Sequence, residues 1–269
     1  MALSDLGRRT LIMGVFNVPP DSFSDGGAFL DPDTAVRRAL AMAAEGADVI
    51  DVGGESTRPG HTPVPAEEEQ RRVLPVLRAL APALGVPVSI YTYKAGTARR
   101  ALEAGASIVN DVWGLQRDGE MAAVVAAHGA TVVVMHNRER ADPALDVVDE
   151  MRRFFDRSLA LARQAGVADD RVVLAPGIGF GQPAEQNLDA LRRLPELKAL
   201  GFPVLVGASR KSVLGRFYDP GVPPAERLFG TIAAHVLAVR GGADVLRVHD
   251  VRAHVEACRV ADALVRSAA

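Results

Sequence analysis

The chain has 269 residues, 48% of them hydrophobic and 24% charged, an ordinary balance for a soluble globule of enzyme size. Its 31 Lys and Arg nearly match its 33 Asp and Glu, which excludes bulk attraction to nucleic acid or an anionic membrane, so any anion site has to be local. The lone cysteine, Cys258, cannot close an internal disulfide and reads as a buried structural thiol, no apolar run approaches the roughly 20 residues that span a bilayer, and the expected location is the cytoplasm.

In chain order, the first strand signal covers residues 11–16 (LIMGVF) and ends at Asn17. The polar, Gly-rich stretch from Pro19 to Gly27 that follows is expected to form a flap over a site, and Asp31-Pro-Asp33 opens a helical pattern at 34–46. A second strand at 48–52 leads into Gly53-Gly-Glu-Ser-Thr-Arg58, and Pro65 opens a helix at 66–82. Strands at 87–91, 107–111 and 131–135 alternate with helices at 95–104, 118–128 and 144–166. The last three strands, 171–174, 203–207 and 244–248, alternate with helices at 184–200, 223–240 (opened by Pro223-Pro224) and 251–266. Eight βα repeats without a linker predict a closed (β/α)8 TIM barrel, one domain over residues 1–269.

In that fold, chemistry gathers where the strands end, so the residue closing each run is a candidate for function. Those residues are Asn17, Tyr91, Asn110, His136, Ala175, Ser209-Arg-Lys211 and Arg247 with His249. The loops after strands 7 and 8 offer amides, a hydroxyl, cations and an imidazole, a combination suited to phosphoryl oxygens. Asn17 provides one amide oxygen of the kind Mg²⁺ accepts, and His136 and His249 are each a candidate proton shuttle or hydrogen-bond donor. No HxH or HExxH spacing supports a histidine metal site, and neither GxSxG nor GxxxxGK[ST] is present. The glycines of Pro176-Gly-Ile-Gly-Phe-Gly181 also lack the GxGxxG spacing of a dinucleotide fingerprint.

Several of these segments together resemble the signature motifs of the dihydropteroate synthase family, in that family's order: Leu11 to Gly27, Asp51 to Gly60, Asn110-Asp-Val112, Pro176 to Gly181, Gly207 to Ser212 and Arg247 to Val251. The resemblance implies a barrel that joins 6-hydroxymethyl-7,8-dihydropterin diphosphate to p-aminobenzoate and releases diphosphate. It implies that the diphosphate and Mg²⁺ are held by Asn17, Thr57, Arg58, Ser209, Arg247 and His249, and that the pterin lies against Asn110, Met135 and Lys211. Aminobenzoate would meet Thr57-Arg58-Pro59, Phe180 and Lys211-Ser212, with Lys211, Arg247 and His249 as the catalytic group and a homodimer as the assembly.

The departures from the family pattern concentrate in one region. Tyr91 and Ala175 stand where the family has Asp, Gln182 where it has Lys, Pro19 where Thr is usual and Phe229 where an acid is usual. A pterin presents a donor edge that a buried carboxylate accepts well, and a lost charged hydrogen bond costs about 1.5–3 kcal/mol. The exchange therefore predicts a homologue that keeps the anion grip but is recruited to a different small-molecule transfer or cyclisation. The alternatives are dihydropteroate synthase itself and a catalytically silent homologue.

Overall fold

The computed structural model describes residues 5–18, 32–56 and 62–266. Eight parallel strands are present: β1 Leu11–Asn17, β2 Val49–Gly53, β3 Val88–Tyr91, β4 Ile108–Asp111, β5 Thr131–Met135, β6 Val172–Ala175, β7 Leu205–Val206 and β8 Val245–Val248. They pair in the order β6-β5-β4-β3-β2-β1-β8-β7, and a parallel bridge between Leu174 and Val204 closes the ring. The helices that return the chain are α1 Pro32–Ala44, α2 Ala66–Ala83, α3 Ala95–Glu103, α4 Met121–Ala127 and α5 Val147–Gln164. They continue with α6 Ala184–Arg192, α7 Leu194–Lys198, α8 Ser212–Gly215, α9 Leu228–Arg240 and α10 Val251–Val265. This is the expected TIM barrel.

Side chains alternate across each strand, and this separates two cores. Residues such as Leu11, Met13, Val49, Ile108, Val133, Val173 and Val245 fill the barrel interior, together with Tyr91, Met135 and Ala175. The intervening residues, Ile12, Ile50, Ile90, Val132 and Val134 among them, pack outward against the helices. Each fully buried side chain of this size, such as Ile12 or Leu77, contributes about 1.5–3 kcal/mol. Cys258 lies in the outer core, where burial pushes its thiol up to about 12, in agreement with a structural thiol.

Two expected helices differ in the structure, and one helix is additional. The pattern at 184–200 is two helices, because Arg193 leaves helical geometry and Pro195 begins a fresh first turn. The seventh expected helix starts at Leu228, the residues after Pro223 forming a single tight turn, Pro224–Glu226. The short α8 was not expected, and it places Lys211 at a helix start. The flap from Pro19 to Gly27 lies outside the described residues. Among the described residues no helix is long and apolar enough to cross a membrane.

Candidate functional site

The strand ends converge on one pocket at the C-terminal mouth of the barrel. It is lined by Tyr91, Asn110, Met135 and Ala175 from β3 to β6, by Gly177, Ile178 and Phe180 of the next loop, and by Leu205, Gly207, Lys211 and Arg247. Tyr91, Met135 and Ala175 end their strands and Asn110 and Arg247 stand one residue inside theirs, each in the inward-facing phase that a period of two sets. Gly53, at the end of β2, lies beside the Tyr91 ring, within van der Waals reach of it. Gly177 carries a positive φ of 67°, and a Cβ would come within 1.9 Å of the His136 carbonyl oxygen, so the loop after β6 can fold over the pocket only with glycine at that point.

Polar groups organise the pocket floor. Asp51, fully buried on β2, accepts from Arg247 Nε at 2.6 Å and from Asn110 Nδ2 at 3.1 Å through the same Oδ2. The Arg247 guanidinium lies 4.4 Å from the Tyr91 ring centroid. Burial works against the Arg247 charge, but Asp51 and Tyr91 outweigh it and hold the guanidinium above its ordinary range. Lys211 Nζ donates to the Ile178 carbonyl and lies 4.4 Å from the Phe180 ring. Burial, with Arg247 nearby as a second cause, lowers the Lys211 ammonium to about 7.

Beside the pocket, Ser209 Oγ and His249 Nδ1 share a hydrogen bond of 2.9 Å, and the His249 backbone N–H donates to Ser209 Oγ at 3.2 Å. Asn17 ends β1 with its side chain exposed next to Gly53. Ser212 is exposed at the first position of α8. Thr57, Arg58 and Pro59 lie outside the described residues. Glu55, two residues before Thr57 in the chain, is held by Lys94, which donates to it and to Glu69 at 2.9 Å, and by Tyr93 Oη, which donates to it at 3.0 Å.

Two candidates change standing. His136 is no proton shuttle: it follows the inward-facing Met135, so it points out of the barrel and packs edge-on against Phe154 at 5.0 Å. Burial, then Arg138 and Arg157, drives its imidazole down to about 3 and keeps it neutral, with Nδ1 3.0 Å from Gln182 Nε2. Arg210 does not reach the pocket and forks onto Asp250. Asp51 is the organising residue that a search of strand ends passes over, because it stands two residues inside β2. Its signal is a carboxylate in an apolar strand, in phase with Val49 and Gly53.

The profile of the family described as "pterin binding enzyme" matches residues 13–249. The dihydropteroate synthase of Synechocystis sp. is 48% identical over 98% of this chain and 93% of its own length. A Clostridium difficile dihydropteroate synthase crystallised with pteroic acid superposes with a TM-score of 0.93 at 50% identity, covering 98% of this chain and 99% of the other. The Xanthomonas albilineans enzyme crystallised with 4-aminobenzoic acid gives a TM-score of 0.89 at 43% identity, covering 97% and 94%. These similarities overturn the expectation of a homologue recruited to a different reaction. The exchange at Tyr91 and Ala175 is local, and around it Asn110 and Arg247 are held on the buried Asp51 while Lys211 lines the same pocket. Motifs, barrel, pocket and near full-length similarity agree: the chain belongs to the dihydropteroate synthase family of pterin-binding enzymes.

Proposed function

We propose that the protein is a dihydropteroate synthase. The arylamine nitrogen of p-aminobenzoate attacks the exocyclic methylene of 6-hydroxymethyl-7,8-dihydropterin diphosphate, the C–O bond to diphosphate breaks, and the amine loses a proton. The observation that carries this reading is the set of groups converging on one pocket within a chain so similar to known synthases. Met135, Ile178 and Phe180 offer apolar contact to a flat heterocycle, and the Asn110 amide and Lys211 ammonium offer its polar edge a partner. Arg247, Ser209 and His249 would take the diphosphate oxygens, with Thr57 and Arg58 expected to join them from the family motif. Charge grows on those oxygens as the bond breaks, so preorganised cations lower the barrier.

Asn17 is the residue that would hold Mg²⁺. That ion keeps several waters and takes one or two protein oxygens together with substrate phosphates. Among the described residues no group of three His, Cys, Asp or Glu is placed to hold an ion, so a single amide oxygen fits an ion shared with the diphosphate. When bound, Mg²⁺ neutralises charge on the leaving group. A homodimer is proposed on separate grounds: Phe229 and Leu237 of α9, and Val260 and Leu264 of α10, are exposed apolar side chains on two helices that pack side by side.

The test is direct. Purified protein, pterin diphosphate, p-aminobenzoate and Mg²⁺ should yield dihydropteroate and one equivalent of diphosphate, and absence of both products would overturn the assignment.

A further inference from the structure

Arg210 stands between two residues that face the site, Ser209 and Lys211, yet its own side chain leaves it. Its backbone has a φ of +60°, a left-handed conformation disfavoured for a residue with a Cβ. Such a conformation persists only where the surroundings over-determine it. Here they do. The Arg210 N–H donates to Thr231 Oγ1 at 3.1 Å, its carbonyl accepts from Arg227 at 3.3 Å, and its guanidinium forks onto both carboxylate oxygens of Asp250, Nε at 3.0 Å.

Asp250 is the residue after His249, so the fork joins the loop after β7 to the loop after β8 directly behind the Ser209–His249 pair. A second tie runs parallel to it. His235 of α9 accepts the Ala208 N–H at 3.0 Å, the Asp250 carbonyl accepts from His254 Nδ1 of α10 at 2.7 Å, and the two imidazoles are 5.0 Å apart. Ser209, Lys211 and His249 thus project from two loops fastened to each other and to α9 and α10, with Arg247 beside them near the end of β8.

We propose that Arg210 and Asp250 are positioning residues that hold the loops after β7 and β8 in the spacing needed to grip diphosphate. A bidentate guanidinium–carboxylate fork fixes angle as well as distance, which a lysine in its place would not. The inference rests on the dihydropteroate synthase reading and deepens it: Arg210 serves the anion through Asp250 rather than by contact.

Inorganic diphosphate with Mg²⁺, titrated calorimetrically into the whole protein, reads the grip without turnover, and a diphosphate-free hydroxymethylpterin reads the pocket. Asp250→Asn and Arg210→Lys should each weaken diphosphate about tenfold and leave the pterin within twofold. Arg210→Gly should keep or raise the melting temperature, since glycine accepts the left-handed backbone, and still lose the grip. The exchange Arg210→Asp with Asp250→Arg should recover part of it. Three outcomes overturn the proposal: diphosphate affinity unchanged in the single variants, equal losses for diphosphate and pterin, or a loss in Arg210→Lys without one in Asp250→Asn. Unaltered protein that binds no diphosphate overturns the clamp and the functional reading together. Clamp-dependent binding without turnover sinks only the latter.

Discussion

Lys211 is the residue whose environment says most about chemistry. Its ammonium is lowered to about 7 because burial penalises the charge and Arg247 repels it. Between pH 7 and the ordinary lysine range the free site therefore holds mostly neutral amine. A bound diphosphate reverses that balance by supplying opposite charge, so binding at pH 8 should take up close to one proton. Calorimetry in buffers of different ionisation enthalpy measures this uptake, and Lys211→Met should abolish it. The sign is fixed by the lowered value: uptake vanishes below about pH 6, where the amine is already protonated, and release in place of uptake would contradict the assignment. Tyr91 and Ala175 make a second residue-scale case. Restoring a carboxylate acceptor adds a charged hydrogen bond of about 1.5–3 kcal/mol, so Tyr91→Asp with Ala175→Asp should tighten the pterin at least tenfold. Unchanged affinity would mean that the present floor, with Asn110 and the buried Asp51, already satisfies the ring.

At the scale of elements, the barrel was legible because period-two runs and helical spacing alternate without a break, and each strand was placed within two residues of its observed span. Seven site residues, Tyr91, Asn110, Met135, Ala175, Phe180, Lys211 and Arg247, do meet in one pocket. The misses share one cause. Position along the chain marks where a strand ends but not which face of the sheet each residue takes. Parity alone would have turned His136 outward, since Met135 faces in, and turned Asp51 inward, since Val49 and Gly53 flank it in phase. The left-handed Arg210 carries no local signal at all: nothing in Ser-Arg-Lys announces a positive φ, which exists because Thr231, Arg227 and Asp250, distant in sequence, impose it. Two substituted positions do not signal a different reaction where the polar set around them, Asn110, Lys211, Arg247 and Asp51, is intact.

For the whole molecule, the exposed apolar residues of α9 and α10 raise the question of assembly. Phe229 and Leu264 are each 81% exposed and Leu237 is 64% exposed, on neighbouring helices. Phe229 and Leu237 are eight residues apart and share a face of α9, and Val260 and Leu264 share a face of α10. A twofold axis through this surface would make it self-complementary, the commonest closed arrangement of identical chains. Burying several large side chains at about 25 cal/mol per Å² can offset the freedom lost on association, whereas a charge placed there cannot be buried unpaired. Sedimentation should therefore find the unaltered protein at twice the mass of one chain, and Phe229→Glu with Leu264→Glu at the mass of one. Because the pocket opens at the barrel mouth and is lined by no residue of α9 or α10, the separated chains should still bind diphosphate. Unaltered protein that sediments as a single chain would remove these helices from any interface.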